Sequence, residues 1–138
     1  MLQHKRILYL GLDPSNYRTD GSVTHWPIIQ IIPRPLTDPL LFDALVQFPY
    51  YTHVVVTSKS TVSILHRHLV SLGMERLWRD KTTLALGTVT ASHLETIDIR
   101  PFKIAEEETG EGVVRMLESL SWETGFLFLP QSSQARPL

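Results

Sequence analysis

Apolar runs and helix-spaced apolar stripes alternate along this chain, separated by short polar, proline or glycine breaks. Arg6 to Leu12 (RILYLGL) and Trp26 to Ile32 (WPIIQII) read as strands, joined by a polar stretch, Asp13 to Thr24, that has no helical period. Pro33-Arg34-Pro35 then predicts an extended connector, because proline rings disfavour helix and stiffen the backbone. Asp38 is placed to cap a helix with Pro39 in its first position and Leu40, Leu41, Ala44, Leu45 and Phe48 as its apolar stripe. A strand over 52–57 and a helix over 59–72 follow, the helix stopped by Gly73. Further on, the pattern predicts a short helix at Glu75–Arg79, a strand at Thr83–Leu86 and a helix opening at Gly87-Thr88-Val89-Thr90 and running to about Leu94. It ends with a weak strand near Ile97–Ile104, a helix over 110–120 capped by Thr109, and a last strand at 126–129. Strands alternating with helices of this size predict a parallel sheet wrapped on both faces.

One segment stands out, HVVVTSKSTVSIL at 53–65, because it runs from strand to helix without a linker. Val54 to Val56 break directly into Thr57-Ser58-Lys59-Ser60, after which Val62, Leu65, Leu69 and Leu72 recur at helical spacing. A buried strand therefore delivers hydroxyl residues to a helix N-terminus, where unpaired N–H groups and the positive end of the dipole suit a carboxylate or phosphate. Capping by Ser58 or Ser60 is the plainer role for the same residues. In parallel sheets ligands sit beyond the carboxyl ends of the strands. Four of the loops expected there are rich in hydroxyl, amide or glycine groups: 57–60, 87–90, 109–112 and 131–133. Together they suggest a surface of amides and hydroxyls suited to a ligand with many acceptors.

Composition narrows the choice of ligand and partner. With 138 residues and 43% hydrophobic content the chain can bury one proper core. It has no apolar stretch of membrane-spanning length and no signal-peptide pattern at its start, so a cytoplasmic protein is the default expectation. The absence of cysteine excludes disulfides, thiol catalysis and cysteine-ligated metal. A net charge of -1 gives no general pull toward nucleic acid or anionic membrane. Neither a G-x-G-x-x-G nor a P-loop motif occurs, which argues against dinucleotide or nucleotide phosphate binding. His66 and His68, two apart on a helix, face different directions and do not make the i, i+4 pair of a helical metal site. Glu106-Glu107-Glu108 reads as a solvated acidic loop favourable to the following helix dipole, and Trp26, Trp78 and Trp122 as scattered packing residues.

The residues also resemble those of the uroporphyrinogen-III synthase family. An apolar strand ending in T-S before a helix is matched by VVVTSKSTV at 54–62, and a small apolar pair followed by G-x-x-T-A by ALGTVTASHLE at 85–95. A T-x-E-G-like helix start is matched by TGEGVVRML at 109–117, and a strand running into L-P and a polar loop with A-R by FLFLPQSSQARPL at 126–138. Each motif is common in doubly wound folds, and their order and spacing carry the likeness.

The resemblance implies a flavodoxin-like doubly wound α/β fold: one nearly complete domain plus the opening strands of a second, similar one. Residues 1–32 would open the first domain, 33–38 form the outward linker and 39–138 most of the second domain. The final helix and strand of that domain and the remainder of the first would be expected beyond Leu138. It implies a cofactor-free, metal-free dehydration and cyclisation of hydroxymethylbilane to uroporphyrinogen III with inversion of the last pyrrole ring, in haem biosynthesis. The partner would be a small molecule, a linear tetrapyrrole bearing many carboxylates. Thr57, Ser58 and Thr90 match family positions, Thr90 at one that faces the cleft, and Thr109 matches a helix start; Ser60 and Thr88 join them as expected carboxylate-binding groups. The tyrosine that the family places near its return linker would lie beyond Leu138, and Tyr9, Tyr17, Tyr50 and Tyr51 are not in equivalent positions, so no catalytic residue is named. A non-catalytic α/β binding or scaffold module derived from the same fold is the alternative. Strands 6–12, 26–32 and 126–129 are expected to leave open edges through which chains associate.

Overall fold

The computed structural model of the chain describes residues 5–16, 21–121 and 125–133. It divides into two compact units, Met1–Pro33 and Arg34–Leu138.

In the first unit β1 (Arg6–Tyr9) pairs in parallel with β2 (Ser22–His25), Arg6 opposite Ser22 and Tyr9 opposite His25. A 3-10 turn at Pro14–Asn16 lies in the connection, where Asp13 Oδ1 accepts from the Ser15 N–H at 2.9 Å. The second strand thus lies at 22–25, and not at 26–32 as the apolar run suggested. Val23 and Thr24 are β-branched and suit a strand, whereas Pro27 has no N–H to donate to a ladder. After His25 the two segments are joined by single bonds on either side of Pro27, from Trp26 N–H to the Tyr9 carbonyl (2.9 Å) and from Ile28 N–H to that of Leu10 (3.1 Å). Two strands cannot bury both their faces, and Leu8, Trp26, Ile28 and Ile32 are all more than 60% exposed.

The second unit is built on a four-stranded parallel sheet in the order β5-β4-β3-β6. Its strands are β3 (His53–Val56), β4 (Thr82–Leu86), β5 (Lys103–Ala105) and β6 (Leu127–Phe128). Val54 pairs with Thr83 on one side and Phe128 on the other, so β3 is interior. Val54, Val55 and Val56 are wholly buried. Burial of each valine side chain is worth roughly 1.5–3 kcal/mol.

Alternate residues of β3 serve opposite layers. Val54 and Val56 join Ala85 and Phe128 against α1 (Pro39–Val46), α2 (Lys59–Ser71), α3 (Glu75–Arg79) and α4 (Thr88–Glu95). Val55 joins Leu84, Leu86 and Ala105 against Val113 and Met116 of α5 (Gly110–Glu118). The connections after β3 and β4 therefore run over one face and the connection after β5 returns over the other, the doubly wound arrangement expected.

Helix ends follow the local chemistry. Asp38 Oδ1 accepts from Leu40 N–H (2.9 Å) and Leu41 N–H (3.4 Å) ahead of α1, with Pro39 in the first turn. Gly73 terminates α2 at φ +68°, a conformation that costs a residue with a Cβ about 1–2 kcal/mol. The weak strand expected over 97–104 shrinks to Lys103–Ala105. Asp98, at φ 59°, turns the chain back after α4, and Ile99 enters the core at 4% exposure with its N–H bonded to the Leu94 carbonyl.

Trp78 is fully buried, and its Nε1–H donates to Thr83 Oγ1 at 3.1 Å within the core. Replacing Thr83 with valine keeps the shape and removes the acceptor, leaving a buried donor unpaired. Thr83→Val is expected to lower unfolding free energy by about 1–3 kcal/mol in urea titration, with Thr83→Ser closer to the parent. Equal stability of parent and valine variant would show that the bond contributes nothing.

Candidate functional site

Because all four strands are parallel, their carboxyl ends share one edge of the sheet. Three helices start at that edge: α2 from the end of β3, α4 directly from β4, and α5 four residues after β5. The first two lie on one face and α5 on the other. The chain leaves β3 over one face and reaches β6 over the other, so Thr57-Ser58 and Leu129-Pro130 lie beyond the carboxyl ends of neighbouring strands.

Ser58 is extended (φ -157°, ψ 159°) and caps α2, its Oγ accepting from Thr61 N–H at 3.1 Å and lying 2.9 Å from Thr61 Oγ1. Thr109 caps α5 in the same way, accepting from Gly112 N–H at 3.1 Å. Both hydroxyls therefore hold their helices. Thr57 and Ser60 are half-buried beside Ser58, and Thr88 is exposed at the first position of α4.

The start of α4 differs. Gly87 at φ 80° and ψ 160° occupies the cap position without a side chain, so no side-chain cap satisfies the first N–H groups of α4. A Cβ at Gly87 would collide with the Glu108 carboxylate, so the loop after β5 lays an acidic group against this helix start. Arg115 Nη1 holds the neighbouring Glu107 Oε2 at 2.6 Å.

Thr90 departs from the cleft-facing expectation. It is 4% exposed and lies with Ala91 and Leu94 on the buried side of α4, so its hydroxyl is withdrawn from the surface that Ser60 and Thr88 share. The fold thus gathers Thr57, Ser58, Ser60, Thr88 and Thr109 at one edge and turns Thr90 inward. Sequence reasoning passed over Thr61 and read Glu108 only as part of a solvated acidic loop. The three-residue spacing of Ser58 and Thr61 could have signalled the first. Nothing in a run of three glutamates distinguishes the one that folds back on a glycine.

The groups with displaced proton affinity lie elsewhere. Burial lowers the pKa of His53, at the start of β3, and of Lys81, just ahead of β4, both at the opposite edge. Lys81 Nζ donates to the Tyr51 carbonyl at 2.6 Å and stands 4.8 Å from the centre of the Phe48 ring. His68, also lowered by burial, is in the last turn of α2, far from the Ser58 cap. At the carboxyl edge the hydroxyls and helix-start N–H groups can bind and orient an anion. The described residues hold no cluster of three or more His, Asp or Glu suited to a metal, and no described helix is long and apolar enough to cross a membrane.

Comparison with known proteins bears on this edge. A family model described as uroporphyrinogen-III synthase HemD matches residues 17–138. Among solved structures, the wild-type uroporphyrinogen III synthase of Thermus thermophilus is similar at a TM-score of 0.62 and 18% identity, covering 96% of this chain and 53% of that one. A selenomethionine mutant form of that enzyme gives 0.58 and 17%, covering 80% and 46%. At these identities the likeness shows the fold alone, and the chain spans about half the length of the structures it matches. No curated protein matches the sequence.

If Glu108 shields the start of α4, removing its charge opens that start to anions. Glu108→Gln is expected to tighten binding of a small tricarboxylate by about two- to fivefold in low-salt calorimetry, the scale of a charge near a helix end. Unchanged affinity would show that the carboxylate does not guard this position.

Proposed function

The chain belongs to the uroporphyrinogen-III synthase HemD family, and from that membership we propose that its second unit forms one wall of a cradle for hydroxymethylbilane, the linear tetrapyrrole that closes to uroporphyrinogen III. The observation that supports this reading best is the opening of α2, α4 and α5 on one sheet edge, with Ser58, Thr88 and Thr109 at their starts.

A substrate with carboxylates on every pyrrole needs many donors. Helix-start N–H groups and hydroxyls supply them without the cost of desolvating lysines, in keeping with the net charge of -1. In the proposed reaction water leaves the hydroxymethyl group to give an azafulvene. The last pyrrole then attacks through its substituted carbon, and the spiro intermediate fragments and recloses with that ring turned over. The substrate closes unaided to the wrong isomer, so the protein's contribution is to bring the correct carbons together. Thr57, Ser58, Ser60, Thr88 and Thr109 would hold carboxylates, mainly through the backbone N–H groups beside them. Thr90 would support α4 from within. A cytoplasmic setting is part of the same proposal.

Supplying the chain with freshly made hydroxymethylbilane and separating the isomers tests this reading. One wall leaves the reacting ring uncontrolled, so mainly the type I isomer is expected, while calorimetry registers binding of the polycarboxylate. Efficient type III formation would overturn the one-wall account, and failure to bind polycarboxylates would overturn the site. The second reading, a non-catalytic binding module, is favoured by Glu108, which places negative charge where a substrate carboxylate would dock. Binding without isomer control, persisting when a complementary second half is supplied, would select it.

The exposed apolar strands of the first unit lead us to propose that chains also associate through them. Light scattering should then give a mass above 15.8 kDa that falls on dilution, with amides of β1 and β2 protected from exchange. A monomer with those amides unprotected refutes association.

A further inference from the structure

Ser63 and His93 lie outside the residues assigned to the carboxyl edge, yet they join two of the helices that open there. Ser63 Oγ on α2 stands 2.7 Å from His93 Nε2 on α4. Ser63 is exposed and His93 half-buried, so the bond runs across the outer side of the two helices, above the core that Val62, Leu65, Ala91 and Leu94 share. A serine hydroxyl suits either tautomer of the imidazole, because it can donate or accept.

The bond lies at matched depth on the two helices. Ser63 comes five residues after the Ser58 cap and His93 six after Gly87. At about 1.5 Å of rise per residue, the bond is roughly 7.5 Å below one helix start and about 9 Å below the other. Both helices run the same way, since each follows a strand of one parallel sheet. A tie at equal depth between such helices sets how far one start stands above the other.

Apolar packing does not set that quantity by itself. Burial is non-directional, and residues such as Val62 and Leu94 keep most of it when neighbouring helices slide by a fraction of a turn. A hydrogen bond weakens steeply with distance and angle, so it holds one register.

We propose that Ser63 and His93 are positioning residues for the carboxyl edge: their bond fixes the start of α4 relative to that of α2, so that one ligand with separated carboxylates meets both. The inference rests on the polycarboxylate reading of that edge. Both residues act through the helices they join, not by contact with the ligand. Helices packed side by side stand about 8–10 Å apart. Carboxylates that reach both starts must be comparably spaced, as on different pyrroles of one tetrapyrrole, whereas a compact tricarboxylate such as citrate covers one start. The second contact of a linked pair gains from being intramolecular, and that gain is lost when the geometry drifts.

Binding of uroporphyrin I, a stable octacarboxylate, compared with binding of citrate separates this role from plain stabilisation. Ser63→Ala should weaken uroporphyrin I by about two- to tenfold, the span of one hydrogen bond's net contribution, and leave citrate unchanged. Ser63→Thr keeps the hydroxyl and should recover the parent affinity. His93→Phe should repeat the loss, and the double variant should lose no more than either alone. An equal loss for both ligands, or none for uroporphyrin I, overturns the proposal.

Should the parent chain bind no uroporphyrin I, the polycarboxylate reading fails and the register is judged without ligand. The chain has no cysteine, so Arg67→Cys carries a single nitroxide on α2, one turn beyond Ser63. The relaxation it causes in α4 amides reads the axial position of α4. That profile should move along α4 in Ser63→Ala and stay in place in Ser63→Thr. The same profile with serine, alanine and threonine at position 63 overturns the proposal.

Discussion

Three consecutive valines, Val54 to Val56, set the arrangement of the second unit. With no exposure at any of the three and a parallel neighbour on each side, β3 is buried on both faces and both edges. A strand in that position favours branched apolar residues on both faces, because a polar side chain there is costly unless it finds a partner, as Thr83 of β4 does in Trp78. Once β3 is central and its neighbours parallel, each connection must cross a face of the sheet, and the helix that opens each crossover starts at the same edge. The gathering of Ser58, Thr88 and Thr109 is thus a consequence of core packing. Hydroxyl residues at those positions give that edge its chemical character.

Charge is distributed in keeping with this geometry. The described bases whose proton affinity is lowered, His53, His68 and Lys81, lie away from the edge where the helices begin. Lys81 is consumed by carbonyls of the turn before β3. What the helix starts themselves offer is dipole and hydroxyl, which attract anions over a short range and at several points without fixing a single one tightly. Such an edge suits a flexible ligand with dispersed carboxylates better than a compact phosphate, for which a concentrated charge would serve.

Most of the second unit was legible because its local signals agree with its packing. Asp38-Pro39 predicted a capped helix start, and Val54-Val56 followed by Ser58 predicted a buried strand running into a capped helix; the structure has both. Legibility failed where hydrophobicity and hydrogen-bonding capacity diverge. Trp26 to Ile32 are apolar enough for a strand, but Pro27 interrupts the donors, and the ladder forms on the shorter, more polar Ser22–His25. Ile97 and Ile99 read as strand residues yet pack at the end of α4, because Asp98 takes a left-handed turn that a period-2 pattern does not register. At the site, the residue types were readable but their directions were not. Thr90 is one turn into α4 and faces the core, while Glu108 returns to the Gly87 backbone through a tertiary contact invisible to local spacing.

The two caps also constrain how the edge can bind anything. The hydroxyls of Ser58 and Thr109 each already accept an N–H from their own helix at 3.1 Å, and replacing such a cap typically costs about 0.5–2 kcal/mol of stability. A carboxylate that competed for those N–H groups would displace the cap and lose that stabilisation. The lower-cost contact uses what the caps leave over: the hydroxyl protons and the N–H groups nearest each helix start. At α4 the balance differs, since Gly87 contributes no capping side chain and its helix start can accept an anion without breaking an existing cap. The same gap explains why a loop carboxylate, Glu108, is found there rather than at α2. The position most receptive to an external carboxylate is also the one that the chain's own acid occupies.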